Sequence, residues 1–385
     1  MSSFPVVAQA GIQALIREGV FFVRIITEFE GSSFLFERPR RIIVCHSPKQ
    51  LSLCLAAAEQ ALQEGCFLAG FLSYEAGYAL EPCLESFYHG DFPLLLLGVF
   101  SAPSRLLAEP ETALFDVTGL RPDISKEQYF RDIDLIREHI LNGDVYQITF
   151  CLKYLFNVRG SCYALYRSLL RRQPVPYAAY LETAFGTVLS LSPELFLCKK
   201  GSHLRTKPMK GSWPRDGLIS GLFGGVRLHF DAKNRAENLM ITDLLRNDLG
   251  RIGRGVNVPR LFEVSGYRTI FQMTSTVEAQ VPEDISLSEL LRALFPSGSV
   301  TGAPKVEAMK IIRRIEPGPR KVYTGAIGWI SPQRDMMFNV PIRTLLVKDG
   351  QGEMGVGGGI VWDSTPDGEW AESQWKSRFL REVCT

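Results

Sequence analysis

No C-x-x-C pair occurs among the eight cysteines, and the five histidines are scattered along the chain. Neither a zinc site nor a disulfide framework is indicated, and reduced, mostly buried thiols are expected. Long apolar runs are also missing: stretches such as Phe92 to Phe100 are far too short to cross a bilayer. Met1 to Leu15 lacks the basic start and extended apolar segment of a signal peptide, so a cytoplasmic location is the default expectation. Lys and Arg form no run and the net charge is only +2, which leaves no footprint for nucleic acid or a membrane surface. A small molecule or another protein is the expected partner.

What is present is an ordinary globular composition, 385 residues with 46% hydrophobic and 22% charged side chains, enough for one large domain or two moderate ones. Short β-rich runs (Phe21 to Ile26, Arg41 to Val44, Phe67 to Tyr74, Leu94 to Val99) surround one helical stretch, Pro48 to Glu64. That pattern predicts α+β structure with antiparallel pieces rather than regular βαβ units. Ala102 to Pro122 reads as a connection, which places a boundary between an N-terminal α+β subdomain, 1–115, and a larger second region, 116–385. Ser125 and Gln128 form a capping-box signal, after which Phe130, Ile133, Ile136 and Ile140 recur at helical spacing until Gly143. A β-rich run from Val145 to Phe156 follows, and a second helix is predicted from Asp231 to Gly250. Strands around Phe271 to Val277, helices over Leu287 to Leu294 and Lys305 to Ile315, and strands over Gly325 to Ile330 and Phe338 to Val347 come next. A helix from Asp367 to about Val383 closes the chain.

Several residues stand out on chemical grounds. Lys210 lies in R-T-K-P-M-K-G-S-W-P-R, where proline and glycine on both sides exclude a helix or an inner strand and imply a fixed irregular turn. Alone, that turn reads as a solvated basic loop; a lysine on it can also be aimed at a ligand. Glu194, in S-L-S-P-E-L-F-L, follows a proline and has apolar neighbours able to raise its pKa toward that of a useful general acid. Glu369 and Glu372 share one face of the last predicted helix, and with Glu237 they would make a hard-oxygen site suited to Mg²⁺; spacing alone equally allows a solvated helix face. The run Met354 to Val361 contains three consecutive glycines, Gly357, Gly358 and Gly359, which permit either a tight turn or a cradle of N–H groups for an anion. Arg343 interrupts an apolar strand-like run, where a guanidinium needs a salt bridge or a bound carboxylate.

Taken in order, the blocks G-D-V-Y-Q-I-T-F, S-L-S-P-E-L-F, K-P-M-K-G-S-W-P-R, R-A-E-N-L-M-I-T-D-L-L-R-N-D-L-G-R-I, L-F-P-S-G-S-V-T-G-A-P-K, Y-T-G-A-I-G-W-I, I-R-T-L-L-V, and G-G-G-I-V-W-D-S with E-W-A-E-S-Q-W-K resemble the chorismate-utilising enzymes. They cover about residues 125 to 383; the preceding part matches weakly, chiefly in A-G-F-L-S-Y-E-A-G-Y, so a regulatory tryptophan pocket is not carried over. The resemblance implies an α+β fold in which two antiparallel sheets form a sandwich flanked by helices. Family members that add water carry a lysine where this chain has Gln147, and a glutamine is no base. Ammonia is then the implied nucleophile. Anthranilate-forming members usually carry alanine where this chain has Lys210, whereas a lysine there goes with 4-amino-4-deoxychorismate, a precursor of p-aminobenzoate and folate.

The same resemblance implies roles for particular residues. Lys210 would attack chorismate as a free amine while protonated Glu194 gives its proton to the departing hydroxyl. Mg²⁺ on Glu237, Glu369 and Glu372 would bind the ring carboxylate. Arg343, Tyr323, Lys376 and the N–H groups of Gly357 to Gly359 would hold carboxylates, with Gly211, Ser212, Gln147 and Gln272 around the ring. Three positions depart from the family pattern: Gln272 replaces a common histidine, Asn234 an acidic residue, and Ser212 a threonine. No cysteine lies in a G-x-C-x-G setting, so ammonia would come from a separate glutamine amidotransferase subunit or from solution. Two alternatives stay open: synthesis of anthranilate, and a catalytically silent chorismate-binding subunit.

Overall fold

The computed structural model describes residues 23–90, 92–106, 113–215, 217–267 and 270–384. Among them the chain forms two ten-stranded sheets, antiparallel throughout their registers. The first runs Gly302–Ala303, Gln147–Gly160, Gln351–Ile360, Thr344–Lys348, Gly186–Ser192, Tyr177–Thr183, Arg24–Phe29, Ser32–Phe36, Ser104–Arg105, with Phe115–Pro122 beside Gln147–Gly160. The second runs Met209–Pro214, Ile270–Gln280, His203–Lys207, Leu195–Lys200, Met336–Asn339, Ala326–Ile330, Phe67–Leu72, Leu95–Phe100, Arg41–Cys45, with Arg254–Gly266 beside Ile270–Gln280. This is the α+β sandwich that the resemblance implies.

The strand Leu95–Phe100 shows why its sequence is apolar throughout. Leu95, Leu97 and Val99 face one core cluster while Leu96 and Phe100 face another, so the twofold alternation of a strand is buried on both sides. The inter-sheet core holds residues of both sheets, such as Ile25, Phe36, Phe71 and Leu181. Helices Pro48–Gln63, Ala232–Gly250 and Leu287–Leu294 cover the outer face of the second sheet. Lys126–Leu141, Cys162–Arg172 and Lys305–Ile315 cover that of the first. Both sheets run across the expected 115/116 boundary, since Arg24–Phe29 pairs with Tyr177–Thr183 and Phe67–Leu72 with Ala326–Ile330.

Two helices have the predicted limits, Leu287–Leu294 and Lys305–Ile315. At Ser125 half of the predicted capping box forms: its hydroxyl accepts from Gln128 N, but the Gln128 amide bonds Asp132 instead of reaching back. The first predicted strand begins at Phe21, outside the described residues; the described strand is Arg24–Phe29. Part of the predicted connection, 107–112, also lies outside them, and its end is a strand, Phe115–Pro122. The helix Gly217–Phe230 was not legible, because its glycines argue against helix by propensity. Packing overrides this: a Cβ on Gly224 would lie 3.0 Å from Trp213 and 3.1 Å from Phe271.

The predicted strand Phe338 to Val347 is two strands in different sheets, Met336–Asn339 and Thr344–Lys348, joined by a crossing at Val340 to Arg343. Pro193 and Glu194 make a second crossing, between Gly186–Ser192 and Leu195–Lys200. The two crossings are laced together. Val340 N donates to Glu194 O at 3.0 Å, Leu191 N to Arg343 O at 3.1 Å, and the Ser192 hydroxyl to Val340 O at 2.5 Å.

Candidate active site

A cavity of about 300 Å³ is lined by residues of the strands Gln351–Ile360 and Met209–Pro214 and of the helices Ala232–Gly250 and Pro366–Lys376, a size suited to a small ligand. Lys210, Glu194, Gly211, Ser212, Gln272, Tyr323, Arg343, Gly357, Gly358, Gly359, Lys376, Glu237, Glu369 and Glu372 all line it. Gln147 alone of the expected set stands behind the wall. A Cβ at Gly359 would fall 2.2 Å from Gln147 Nε2 and 3.1 Å from Lys210 Nζ, so this glycine lets the buried amide and the lysine approach one strand.

Lys210 sits on an edge strand, Met209–Pro214, rather than on a free turn. The strand carries a bulge between Met209 and Ser212, where Gly211 has φ +96° and presses on Asn234; a Cβ there would meet Asn234 Oδ1 at 3.0 Å. Edge position and bulge reconcile the flanking prolines with strand pairing. Asn238 steadies the lysine's backbone through Nδ2 to Lys210 O at 3.2 Å. Burial pushes the ammonium below the ordinary lysine range, and Lys376 adds to this. The carboxylates of Glu237, Glu194 and Glu372 oppose it.

Glu194, 2% exposed, moves the opposite way. Burial pushes its carboxyl up to about 7, against the hydrogen bond from Ser299, the charge of Lys210 and the Met209 backbone. Ser299 Oγ donates to Glu194 Oε1 at 2.5 Å. The carboxyl of Glu194 and the half-buried amine of Lys210 are thus each pushed toward the neutral form, from opposite sides.

Arg343 is not within a strand, as the sequence implied, but on the crossing with φ +50°, just before Thr344–Lys348. Its guanidinium makes no hydrogen bond or ion pair among the described residues, and burial lowers it to about 10, with Tyr267 opposing. The glycine run is likewise no turn. It lies within the strand Gln351–Ile360, paired on one side to Gln147–Gly160; the pairing with Thr344–Lys348 on the other side ends at Met354. The backbone edge beyond Met354 therefore borders the cavity.

The three candidate metal ligands open onto the same cavity, but among the described residues no three His, Cys, Asp or Glu side chains converge as a preformed metal site. Lys376 Nζ lies 2.6 Å from Glu372 Oε1 and donates to Gly357 O at 2.7 Å, and the Glu369 carboxylate accepts from Ser364 Oγ at 2.7 Å. Lys376 holds Glu372 below the usual carboxylate range, while burial pushes Glu237 and Glu369 up, Glu369 further because of Glu372. Two carboxyls that resist ionising beside a third are a donor set that fits a hard divalent cation.

Sequence reasoning missed Ser299, Lys233, Asn238 and Trp375. Ser299, Lys233 and Trp375 line the cavity, whereas Asn238 holds the backbone of Lys210. The block P-S-G-S-V-T held the signal for Ser299, since a serine-rich turn in an apolar setting needs a polar partner. Both Gln147 and Gln272 are buried with neither end of the amide hydrogen-bonded, which is costly unless a ligand satisfies them.

Cavity and sandwich together define a candidate site for a small ligand. The chain belongs to the chorismate binding enzyme family, whose profile matches residues 33–382, reaching well before the blocks that the sequence itself displayed. It is 39% identical over 265 residues to aminodeoxychorismate synthase component 1 of Escherichia coli (strain K12), covering 68% of this chain and 58% of that protein. It is 34% identical over 273 residues to the protein of the same name from Bacillus subtilis (strain 168), covering 69% and 56%. These matches thus span less than two thirds of either relative. The crystal structure of anthranilate synthase component I from Streptococcus pneumoniae TIGR4 superposes with a TM-score of 0.75 at 22% identity, over 93% of this chain and 91% of that one, and shares the fold. No helix among the described residues is long and apolar enough to cross a membrane.

Proposed function

We propose that this chain is an aminodeoxychorismate synthase component I, replacing the C4 hydroxyl of chorismate with an amino group. The observation that carries the reading is the pairing, in one cavity, of a lysine pushed below its ordinary range with a glutamic acid raised to about 7. The neutral amine of Lys210 forms a bond to C2 as both ring double bonds shift, C1=C2 to C1=C6 and C5=C6 to C4=C5, and the C4–O bond breaks; the Glu194 proton leaves with the hydroxyl as water. Ammonia then bonds to C4, both double bonds shift back, and the C2–N bond breaks to return Lys210 as an amine. The net change is chorismate, ammonia and one proton to aminodeoxychorismate, as its ammonium form, and water. Glu194 regains its proton from solvent.

Arg343 meets a substrate carboxylate with the fork it otherwise leaves unused. Gln147, beside Lys210, offers hydrogen bonds but no base, which favours ammonia over water. Glu237, Glu369 and Glu372 would hold Mg²⁺, which supplies a counter-charge for the substrate carboxylate. A glutamine amidotransferase subunit is the proposed source of ammonia, in keeping with the component 1 names of the relatives. Incubation of the pure chain with chorismate, Mg²⁺ and excess ammonium near neutral pH should yield 4-amino-4-deoxychorismate by chromatography and mass. Anthranilate with pyruvate would overturn the proposal.

A further inference from the structure

Behind the cavity wall lies a buried guanidinium whose five N–H donors are all used. Arg320 is 3% exposed. It donates from Nε to Glu316 Oε2 (2.9 Å), from Nη1 to Val300 O (2.8 Å) and Thr324 Oγ1 (3.3 Å), and from Nη2 to Thr149 O (2.6 Å) and Glu316 Oε1 (2.6 Å). Its guanidinium stacks 4.3 Å above the Tyr74 ring. The Glu75 carboxylate accepts from the backbone N–H of Arg320 at 2.7 Å and of Lys321 at 3.0 Å. Glu316 also accepts from Cys151 N at 2.9 Å. Neither Arg320 nor Glu316 lines the cavity.

What this network grips is the support of the proposed acid. Ser299 stands in a single 3-10 turn, Gly298–Val300, which has little stiffness of its own. That turn is tied to the strand Gln147–Gly160 by Thr149 N to Thr301 O at 2.8 Å and by Thr149 Oγ1 to Ser299 O at 3.4 Å. Arg320 bridges the same two pieces, with Val300 O on one nitrogen and Thr149 O on the other. We propose that Arg320 is a positioning residue for Glu194: by locking the Ser299 turn to the Gln147–Gly160 strand, it keeps the Ser299 hydroxyl on the Glu194 carboxyl.

A buried ion pair that serves only stability is the competing account. The two differ in what they do to Glu194. Lys210, on the neighbouring edge strand, is the charged group acting on that carboxyl, so Arg320 acts on it through Ser299 rather than by its own charge. Loosening the Ser299 hydrogen bond removes a group that favours the ionised form, so the Glu194 midpoint rises. Lysine at position 320 keeps the charge but cannot span Thr149 O, Val300 O and Glu316 with a planar fork.

The test is a ¹³C NMR titration of the full chain labelled at glutamate carboxyls, with Glu194 assigned by its loss in Glu194→Gln. Ser299→Ala and Arg320→Lys should each raise the Glu194 midpoint by about one pH unit, the worth of one hydrogen bond to a charged group. The double variant should show no further rise. In Arg320→Lys, kcat should fall roughly tenfold to a hundredfold, the scale of small misplacements of a reacting group, and the alkaline limb of its pH profile should move with the midpoint. Arg334→Lys, which disturbs the remote Arg334–Glu59 pair, should move neither. If Arg320→Lys does not fold, Glu316→Gln should give a smaller shift of the same sign.

An unmoved midpoint in a folded Arg320→Lys, or shifts that add in the double variant, would overturn the inference. Its catalytic consequence rests on Glu194 being the acid. A midpoint that moves while the limb stays still would therefore uphold the positioning role and sink the proposed mechanism instead.

Discussion

Replacing Arg343 by methionine should make the protein more stable and weaken its binding of substrate. The half-buried guanidinium has no partner among the described residues, and loss of solvent lowers its pKa from the ordinary arginine range to about 10. A folded value below the ordinary one means that the charged form is less favourable in the folded chain than in the unfolded one. The cost, on the order of 3 kcal/mol, is constant at every pH well below about 10 and disappears as pH rises through the arginine range. Methionine occupies a similar volume without the charge. An unfolding entropy of about 2 cal/mol/K per residue means roughly 0.8 kcal/mol per degree for a chain of this size, so Tm should rise by about 4 °C. Removing the partner of a buried carboxylate costs roughly 2–5 kcal/mol in binding, or about 30-fold or more in affinity. Differential scanning fluorimetry with and without chorismate reads both effects. Wild type should gain about 3 °C at chorismate near 100 times its Kd, and Arg343→Met should start higher and gain about 1 °C or less. A variant with lowered Tm that still responds to chorismate as wild type does would refute the reasoning, because Arg343 would then be a structural salt-bridge member.

Glu194→Gln should lose roughly 10²- to 10⁴-fold in kcat, the usual contribution of a general acid. Because the acid works protonated, wild-type activity should fall as pH rises through about 7, and that limb should be absent from the residual activity of the variant. Gly359→Ala should abolish turnover with little loss of Tm, since the new methyl would sit 2.2 Å from Gln147 Nε2 and 3.1 Å from Lys210 Nζ, displacing side chains rather than backbone; a fully active Gly359→Ala would contradict the placement of Gln147. Calorimetry at mildly acidic pH should show Mg²⁺ binding with proton release, because Glu237 and Glu369 are raised by burial and must ionise to bind. Glu369→Gln should weaken that binding about tenfold or more, and unchanged Mg²⁺ affinity would remove Glu369 from the site.

How much of this was legible in the sequence depended on whether the signal was local. Leu287–Leu294 and Lys305–Ile315 carry their own apolar periodicity and ends, and both formed within the predicted limits. Arg343 and Glu194 were recognisable as polar residues in apolar runs, but not as neighbours on two crossings between sheets, because the hydrogen bonds between the crossings join residues more than a hundred positions apart. Lys210 was read as lying on a turn since proline and glycine disfavour inner strands, and an edge strand with a bulge satisfies the same restriction. Gly357 to Gly359 allowed either a turn or a close approach, and only the pairing with Gln147–Gly160 decides for the approach. The helix Gly217–Phe230 was invisible because the packing of Phe271 and Trp213 against its glycines comes from elsewhere in the chain.

The central claim is that the amine of Lys210 is the nucleophile in amination of chorismate at C4. Lys210→Ala, assayed with chorismate, Mg²⁺ and ammonium beside the wild-type chain, tests it most directly. The account predicts that 4-amino-4-deoxychorismate disappears from the product profile while chorismate still raises the Tm of the variant. Undiminished formation of 4-amino-4-deoxychorismate by Lys210→Ala would contradict it.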